Sequence, residues 1–305
     1  MTTAPLVILC LHRVLRRDSP GAWPYFLRGT AITPEVLRAL LAGLCRAGRF
    51  VDASAPLDPR SRSDAPRFWL TFDDGYADTR TTALPILEDF GATATAFVTT
   101  GAILGDIDLP ADRWNAVVSS ARRARGRVAW NDIAFDADTT SDEGRAKLAM
   151  GWERAAFLRA DAASQGRAIE ALERALDGHG ATAPGLYLDR DDVRDLTRAG
   201  WAVGGHGATH AILPTLGAEE LQAELTAMDE GLRRLGAARP VAFAYPDGQR
   251  SSDVEQALAT RGVPLAVTLG ATPVAPEHGR LRLPRFVVPN DPTWVERSLL
   301  PTLGA

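Results

Sequence analysis

Sulfur and imidazole are scarce in this chain of 305 residues, which holds two cysteines, three methionines and five histidines. Cys10 and Cys45 cannot build a disulfide framework and show no paired metal-ligand spacing, so both are expected to be buried thiols in a reducing compartment. Long apolar runs are missing too. The first one, PLVILCL, has no basic stretch before it and is followed by HRVLRR rather than by small residues and a cleavage site. It therefore reads as a buried strand, and no segment approaches the ~20 apolar residues of a membrane-spanning helix. The expectation is a cytoplasmic protein without an integral membrane segment. Nor is there a basic excess: a net charge of -4 and a pI near 5.8 give no global electrostatic reason for a nucleic-acid partner. The one dense basic cluster, ARRARGR at 121–127, lacks interleaved aromatics and reads as a solvated helix end and turn. Internal repeats and low-complexity tracts are absent.

What the chain does have is 46% apolar residues, enough for a sizeable core in one large domain or two small ones. Short apolar runs predict strands at 6–12, 67–73, 93–100, 201–205, 241–245, 264–269 and 280–288. Helices are predicted between them. One spans 33–48, with Thr33 as N-cap, Pro34 in the first turn and Gly48 at its end. Others lie near 79–90, 112–124, 189–199, 217–235 and 252–262. This alternation argues for a parallel α/β sheet, and seven or eight strands suggest closure into a barrel, with an open doubly wound sheet as the alternative. One interval is too long. Residues 106–188 hold helices, including a pair at 143–177, and a predicted hairpin, RVAWNDIAFD, turning at Asn131 and Asp132. No Pro/Gly/Ser-rich linker brackets this mainly helical stretch, so it reads as an insertion packed on a single domain.

Chemistry concentrates in two motifs. His206 and His210 form HGATH directly after a predicted strand, a spacing that lets both imidazoles face one point, although HxxxH also arises by chance. Two imidazoles leave a divalent ion short of a ligand, and a carboxylate from elsewhere is the usual completion in an open hydrolytic site. TFDDGY, at 71–76, supplies two at the C-terminal end of a strand, where parallel barrels gather catalytic residues. Neighbours in a strand face opposite sides, but Gly75 lets the backbone turn so that Asp73 and Asp74 can border one pocket, one binding metal and the other working as a base. A plain turn or helix N-cap is the structural alternative. His179 and His278 lie in Gly-rich loops and are expected to be solvent-exposed. Trp69 and Trp114 are large enough to stack on a ring-shaped ligand, but burial is the expected fate of both.

TFDDGYADT, HGATH, FAYPDG (243–248) and LCLHRV together resemble the polysaccharide deacetylase family, also called the chitooligosaccharide-deacetylase homology domain. The resemblance extends through ALPILEDFGATATAFVTTG (83–101), LQAELTAMDEGLRRLG (221–236) and RLPRF (282–286), and so covers most of the chain outside the insertion. It implies a distorted (β/α)7 TIM-like barrel with a divalent metal, commonly zinc, on Asp74, His206 and His210, and with Asp73 as general base. It also offers the backbone N–H of Tyr245 to hold an oxyanion. The late histidine that serves many relatives as general acid has no counterpart in PLAVTLG. The subgroup similar to biofilm poly-N-acetylglucosamine deacetylases has one after the first strand instead, which makes His12 the candidate general acid. The chain departs from the family pattern in three places. Gly207 replaces a Ser or Thr that could steady the loop, Asp247 replaces a residue that is often aromatic, and Ala244 replaces an arginine. Arg285, or else Arg282, is the candidate to hold Asp73 in that arginine's stead.

The implied activity is removal of an acetyl or other small acyl group from an amino sugar in a glycan or glycan precursor. A catalytically silent carbohydrate-binding barrel is the competing reading. A two-acid glycosidase is disfavoured, because adjacent Asp73 and Asp74 meet the required carboxyl separation of about 5 Å or more across a sugar only awkwardly. Without a secretion signal, the expected substrate is a surface-polysaccharide precursor or a lipid-linked or nucleotide-linked amino sugar.

Overall fold

The computed structural model describes residues 4–53, 58, 61, 63–237 and 241–303. Seven parallel strands form a closed barrel: β1 (Leu6–Leu11), β2 (Arg67–Phe72), β3 (Ala94–Val98), β4 (Ala202–Gly205), β5 (Phe243–Ala244), β6 (Ala266–Leu269) and β7 (Leu283–Val287). Each strand pairs with its predecessor in sequence, and β7 returns to β1 in the register Leu9↔Phe286 and Cys10↔Val287. The open-sheet alternative therefore fails, and the fold is the distorted (β/α)7 TIM-like barrel. Around it pack helices α1 (Pro34–Ala47), α2 (Leu84–Asp89), α6 (Arg190–Arg198), α7 (Ala218–Arg234) and α8 (Ser252–Thr260), while α3 (Pro110–Ser119), α4 (Trp152–Arg159) and α5 (Ala162–Leu176) lie in the long segment between β3 and α6. Thr33 caps α1 by accepting the Val36 N–H, with Pro34 at the first helical position where its missing donor costs nothing. No described helix is long and apolar enough to cross a membrane.

Strand parity decides which residues reach the site. Leu6, Ile8, Trp69, Phe97, Ala244 and Val267 fill the barrel interior, while the alternate residues Val7, Leu9, Leu11, Phe68, Leu70 and Phe72 pack against the helices. Gly204 belongs to the inner set, and any Cβ there would come within 2.5 Å of the Phe97 ring. Each fully buried Phe or Leu contributes about 1.5–3 kcal/mol, so both faces of the strands hold the barrel. Trp69 lies inside it, donating its indole N–H to Thr95 Oγ1 at 2.9 Å.

The segment between β3 and α6 carries α3, a hairpin of Arg125–Trp130 with Ile133–Asp138, a helix at Asp142–Met150, α4 and α5. Asn131 takes the positive φ of the hairpin turn. The segment has an apolar cluster of its own around Trp114, Phe135 and Phe157. Trp114 is buried there and bonds Leu148 O at 2.9 Å, so it offers no face to a sugar. α3 stops at Ser119, short of the predicted 124, because residues 125–130 are drawn into the hairpin. Two other expectations are corrected. Cys45 is exposed, unlike buried Cys10, because it lies on the solvent side of α1. His278 is half-buried, and its Nδ1 accepts the Ala275 N–H at 2.9 Å within its own turn, whereas His179 is exposed.

Candidate metal centre and catalytic cleft

Continuation of strand parity past the strand ends sets up the site. The Asp73 N–H still donates to Leu11 O, at 2.9 Å, so its side chain projects inward with Thr71. The backbone then turns: Asp74 has φ 74° and Gly75 φ 88°, and a Cβ at Gly75 would strike Ile103 at 2.5 Å. This reversal brings the second carboxylate to the same mouth as the first. On the other side His206 extends β4 by donating its N–H to Val98 O at 3.0 Å, and Gly207 and His210 both adopt positive φ to fold HGATH back.

The ligand atoms of Asp74, His206 and His210 lie within 4.8 Å of one another. Asp74 Oδ1 stands 3.3 Å from the Nε2 of each imidazole, yet it is buried and accepts no hydrogen bond. The reason is tautomeric. His206 Nδ1 lies 2.8 Å from Ala244 O, a pure acceptor, so Nδ1 carries the proton and Nε2 presents a lone pair. His206 therefore offers Asp74 Oδ1 a lone pair and no donor, an arrangement that suits a shared cation. The separations fit one as well: a tetrahedral ion with ~2.1 Å bonds to N and O ligands has edges of roughly 3.4 Å. Burial alone would lower the pKa of His210, but the adjoining Asp74 carboxylate outweighs it and raises it to about 9, as expected where negative charge favours a cation.

Asp73 is held differently. Arg285, from β7, grips it with two hydrogen bonds of 2.6 Å each and bonds Thr71 Oγ1 at 3.0 Å. Arg282 instead pairs with Glu255. Burial pushes the Asp73 pKa up, but the guanidinium more than offsets this and leaves it below the usual carboxylate range. His12, half-buried, lies at the same mouth, with a ring nitrogen within 4.8 Å of an Asp73 oxygen. Burial lowers the His12 pKa, and the nearby carboxylates of Asp74 and Asp73 do not fully restore it. Tyr245 does not fit its expected role. Its N–H donates to Val267 O at 3.1 Å as part of the β5–β6 pairing, and its hydroxyl bonds Leu281 O at 3.0 Å. The N–H offered for an oxyanion is thus already engaged in the sheet.

Three residues escaped the sequence reading. Glu224 of α7 accepts the Ala208 and Thr209 N–H groups at 2.8 Å each and the Thr209 hydroxyl at 3.1 Å, tying down HGATH. A Cβ at Gly207 would sit 2.8 Å from Glu224 Oε1, so the glycine that removed a loop hydroxyl admits this carboxylate instead. A detectable signal existed: Glu224 shares the buried face of α7 with Leu221, Leu225 and Met228. Asp78 accepts two Arg13 hydrogen bonds, at 2.9 and 2.8 Å, and the Val14 N–H at 2.7 Å, anchoring the segment that carries His12. Asp112 of α3 accepts the hydroxyls of Tyr25, Tyr76 and Tyr187 at 2.7, 2.9 and 2.8 Å, joining the segment between β3 and α6 to the mouth. The mouth opens into a cleft of about 1250 Å³ that His12, Asp73, Asp74, His206 and His210 share with α4 residues such as Arg154 and Phe157.

A closed α/β barrel with an Asp-His-His cluster and a clamped aspartate at the C-terminal ends of its strands defines a barrel protein with a candidate mononuclear metal centre. The polysaccharide deacetylase family pattern matches residues 60–124 and 155–266, more than half of the chain. The chain belongs to the polysaccharide deacetylase family. Among solved structures it is similar to the Streptococcus pyogenes deacetylase PplD in complex with acetate, with a TM-score of 0.64, 17% identity and 99% of each chain covered. It is also similar to IcaB from Ammonifex degensii, with a TM-score of 0.61, 18% identity and coverage of 99% and 98%. The polysaccharide deacetylase BC0361 from Bacillus cereus gives a TM-score of 0.59 at 16% identity, covering 99% of this chain and 69% of that one. At these identities the likeness shows the fold. No match was found among curated proteins.

Proposed function

We propose that this protein is a metal-dependent hydrolase that removes an N-acetyl or other small acyl group from an amino sugar in a glycan or glycan precursor. The observation that carries this reading is the convergence of Asp74, His206 and His210 beside an arginine-clamped Asp73 at the floor of one cleft. Asp74, His206 and His210 would hold a divalent cation such as zinc, which when bound polarises an acyl carbonyl and acidifies water. Asp73 takes the proton of the attacking water. Its lowered pKa keeps it ionised across neutral pH at the cost of basicity, a compromise suited to an acidified water. Arg285 holds both carboxylate oxygens and so fixes their direction. His12, neutral at pH 7 because burial lowers its pKa, must gain a proton before it can pass one to the departing amine. Asp73, once protonated, is the nearby carboxyl, with an oxygen within 4.8 Å of a His12 ring nitrogen.

The test is acetate release from N-acetylglucosamine oligomers. Release is expected with zinc or cobalt, abolished by chelator, restored by adding metal back, and lost in Asp73→Asn. Metal-loaded protein that releases no acetate, or an Asp73→Asn variant as fast as wild type, overturns the reading. The engaged Tyr245 N–H is the one feature favouring a silent carbohydrate-binding barrel, and the same assay separates the two, since a silent barrel would bind the oligomers without turnover.

A further inference from the structure

Arg154 of α4 is 3% exposed, and no carboxylate pairs with it and no hydrogen bond reaches its guanidinium among the described residues. The contrast with the other arginines of the interior is sharp. Arg285 is doubly bonded to Asp73, and Arg13 is doubly bonded to Asp78. Arg154 lines the same cleft as the Asp74, His206 and His210 cluster. The charges around it are accounted for. Arg28, on the neighbouring helix Trp23–Arg28, pairs with Asp247 at 3.4 Å and repels Arg154. Asp247 and Asp112 attract it without contact, and Asp112 is engaged by three tyrosines. Burial, then Arg28, lowers the Arg154 pKa to about 10, which leaves it protonated at neutral pH.

An unpaired cation inside a protein costs stability unless something supplies the counter-charge. A guanidinium is planar and forked, and its natural complement is an oxyanion gripped through two oxygens. We propose that Arg154, with Arg28 at the rim, forms a subsite for an oxyanion carried by the substrate, either a phosphate or a carboxylate attached to the glycan near the acylated amino sugar. The subsite rests on the hydrolase reading for its place in catalysis, and it makes the preferred substrate an anionic glycan rather than a neutral chitin-like one.

The experiment compares three N-acetylated glucosamine oligosaccharides of equal length: neutral, phosphodiester-substituted and uronic-acid-containing. Wild type is expected to favour one of the two anionic substrates over the neutral one by tenfold or more in kcat/KM, mainly through KM, and the favoured arm identifies the oxyanion. Arg154→Gln should reduce that preference at least tenfold, and Arg154→Lys, which keeps the charge but not the fork, should retain part of it. No anionic preference in wild type, or a preference unaltered by Arg154→Gln, overturns the subsite. If no substrate releases acetate, the hydrolase reading fails, and calorimetric titration with inorganic phosphate and with glucuronate decides the subsite alone. Binding to wild type that Arg154→Gln removes upholds it, and no binding of either anion refutes it. Arg154→Met should melt no lower than wild type in anion-free buffer, because it deletes an unpaired buried charge. A clear drop in its melting temperature would mark Arg154 as structural and overturn the proposal.

Discussion

Replacing Arg285 with methionine tests the clamp on Asp73 most directly. Arg285 and Asp73 are 1% and 2% exposed, and the guanidinium donates two hydrogen bonds of 2.6 Å to the carboxylate. Methionine fills much of the stem volume, so the loss is mainly that of the partner charge. Removing one member of a buried ion pair costs about 3–5 kcal/mol. Thr71 loses a donor, but its hydroxyl keeps its bond to Leu9 O at 2.7 Å and adds little to the deficit. With roughly 2 °C per kcal/mol at this chain length, the melting temperature should fall on the order of 6–10 °C. The deficit also has a pH signature. In wild type the Asp73 pKa is below its unfolded value, so its contribution is present above that value and lost as pH falls through the folded pKa. In Arg285→Met, burial acts unopposed by the guanidinium and raises the Asp73 pKa, so that variant loses stability as pH rises. The gap between the two proteins must therefore widen with increasing pH. The assay is urea unfolding followed by circular dichroism at several pH values and fixed metal concentration. It should include Asp73→Asn and the double variant, whose coupling energy should be about 2–3 kcal/mol. Additivity within about 0.5 kcal/mol, or a gap that narrows toward high pH, would refute the clamp.

Three further outcomes are expected. Glu224→Ala leaves the Ala208 and Thr209 N–H groups without their acceptor and should cost about 2–5 kcal/mol and weaken metal retention about 10- to 100-fold, whereas Glu224→Gln, which keeps an acceptor oxygen, should cost under about 1.5 kcal/mol. Melting curves and competition with a chromogenic chelator check this, and equal behaviour of the two variants would count against the role of Glu224. Asp112→Ala strands the hydroxyls of Tyr25, Tyr76 and Tyr187 and should cost about 2–4 kcal/mol with faster proteolysis inside residues 110–180, while Asp112→Asn should lose less than half as much. A thiol reagent should titrate Cys45 in the native protein and Cys10 only in denaturant, because burial raises the Cys10 pKa and closes off its sulfur; two fast native thiols would contradict this.

Much of this was legible in the chain because barrel strands write their chemistry at their ends. Each strand was visible as a short apolar run, and TFDDG and HGATH sat where such runs stop. The ladder makes their convergence inevitable: β2, β3 and β4 are successive neighbours, so the turn after β2 and the loop after β4 open at one mouth. Less legible were the groups that act through others. Glu224 lies on a helix, where a charged residue ordinarily faces water, and only its place among Leu221, Leu225 and Met228 marks it as turned inward. Asp112 carries no motif, since its three phenol partners come from positions 25, 76 and 187. Tyr245 shows the opposite failure. A family motif fixes which residue stands at a position, but whether its N–H is free depends on how far the β5–β6 pairing runs, here as far as the bond to Val267 O.

The clamp also explains how the chain manages with Ala244, where the family resemblance leads one to expect an arginine. Ala244 faces the barrel interior, is fully buried and lends its carbonyl to His206 Nδ1, so it already has a role in orienting a candidate metal ligand. Arg285 reaches Asp73 from β7 by passing the Phe97 ring at 5.6 Å and bonding Thr71, which occupies the same interior space. One cation suffices for one carboxylate. A second arginine at 244 would enter a packed, low-dielectric interior, and the like-charge repulsion would be felt at the Arg285–Asp73 pair. The small residue on β5 and the arginine on β7 therefore fit together: the cation beside Asp73 comes from β7, and the buried position on β5 suits a small side chain.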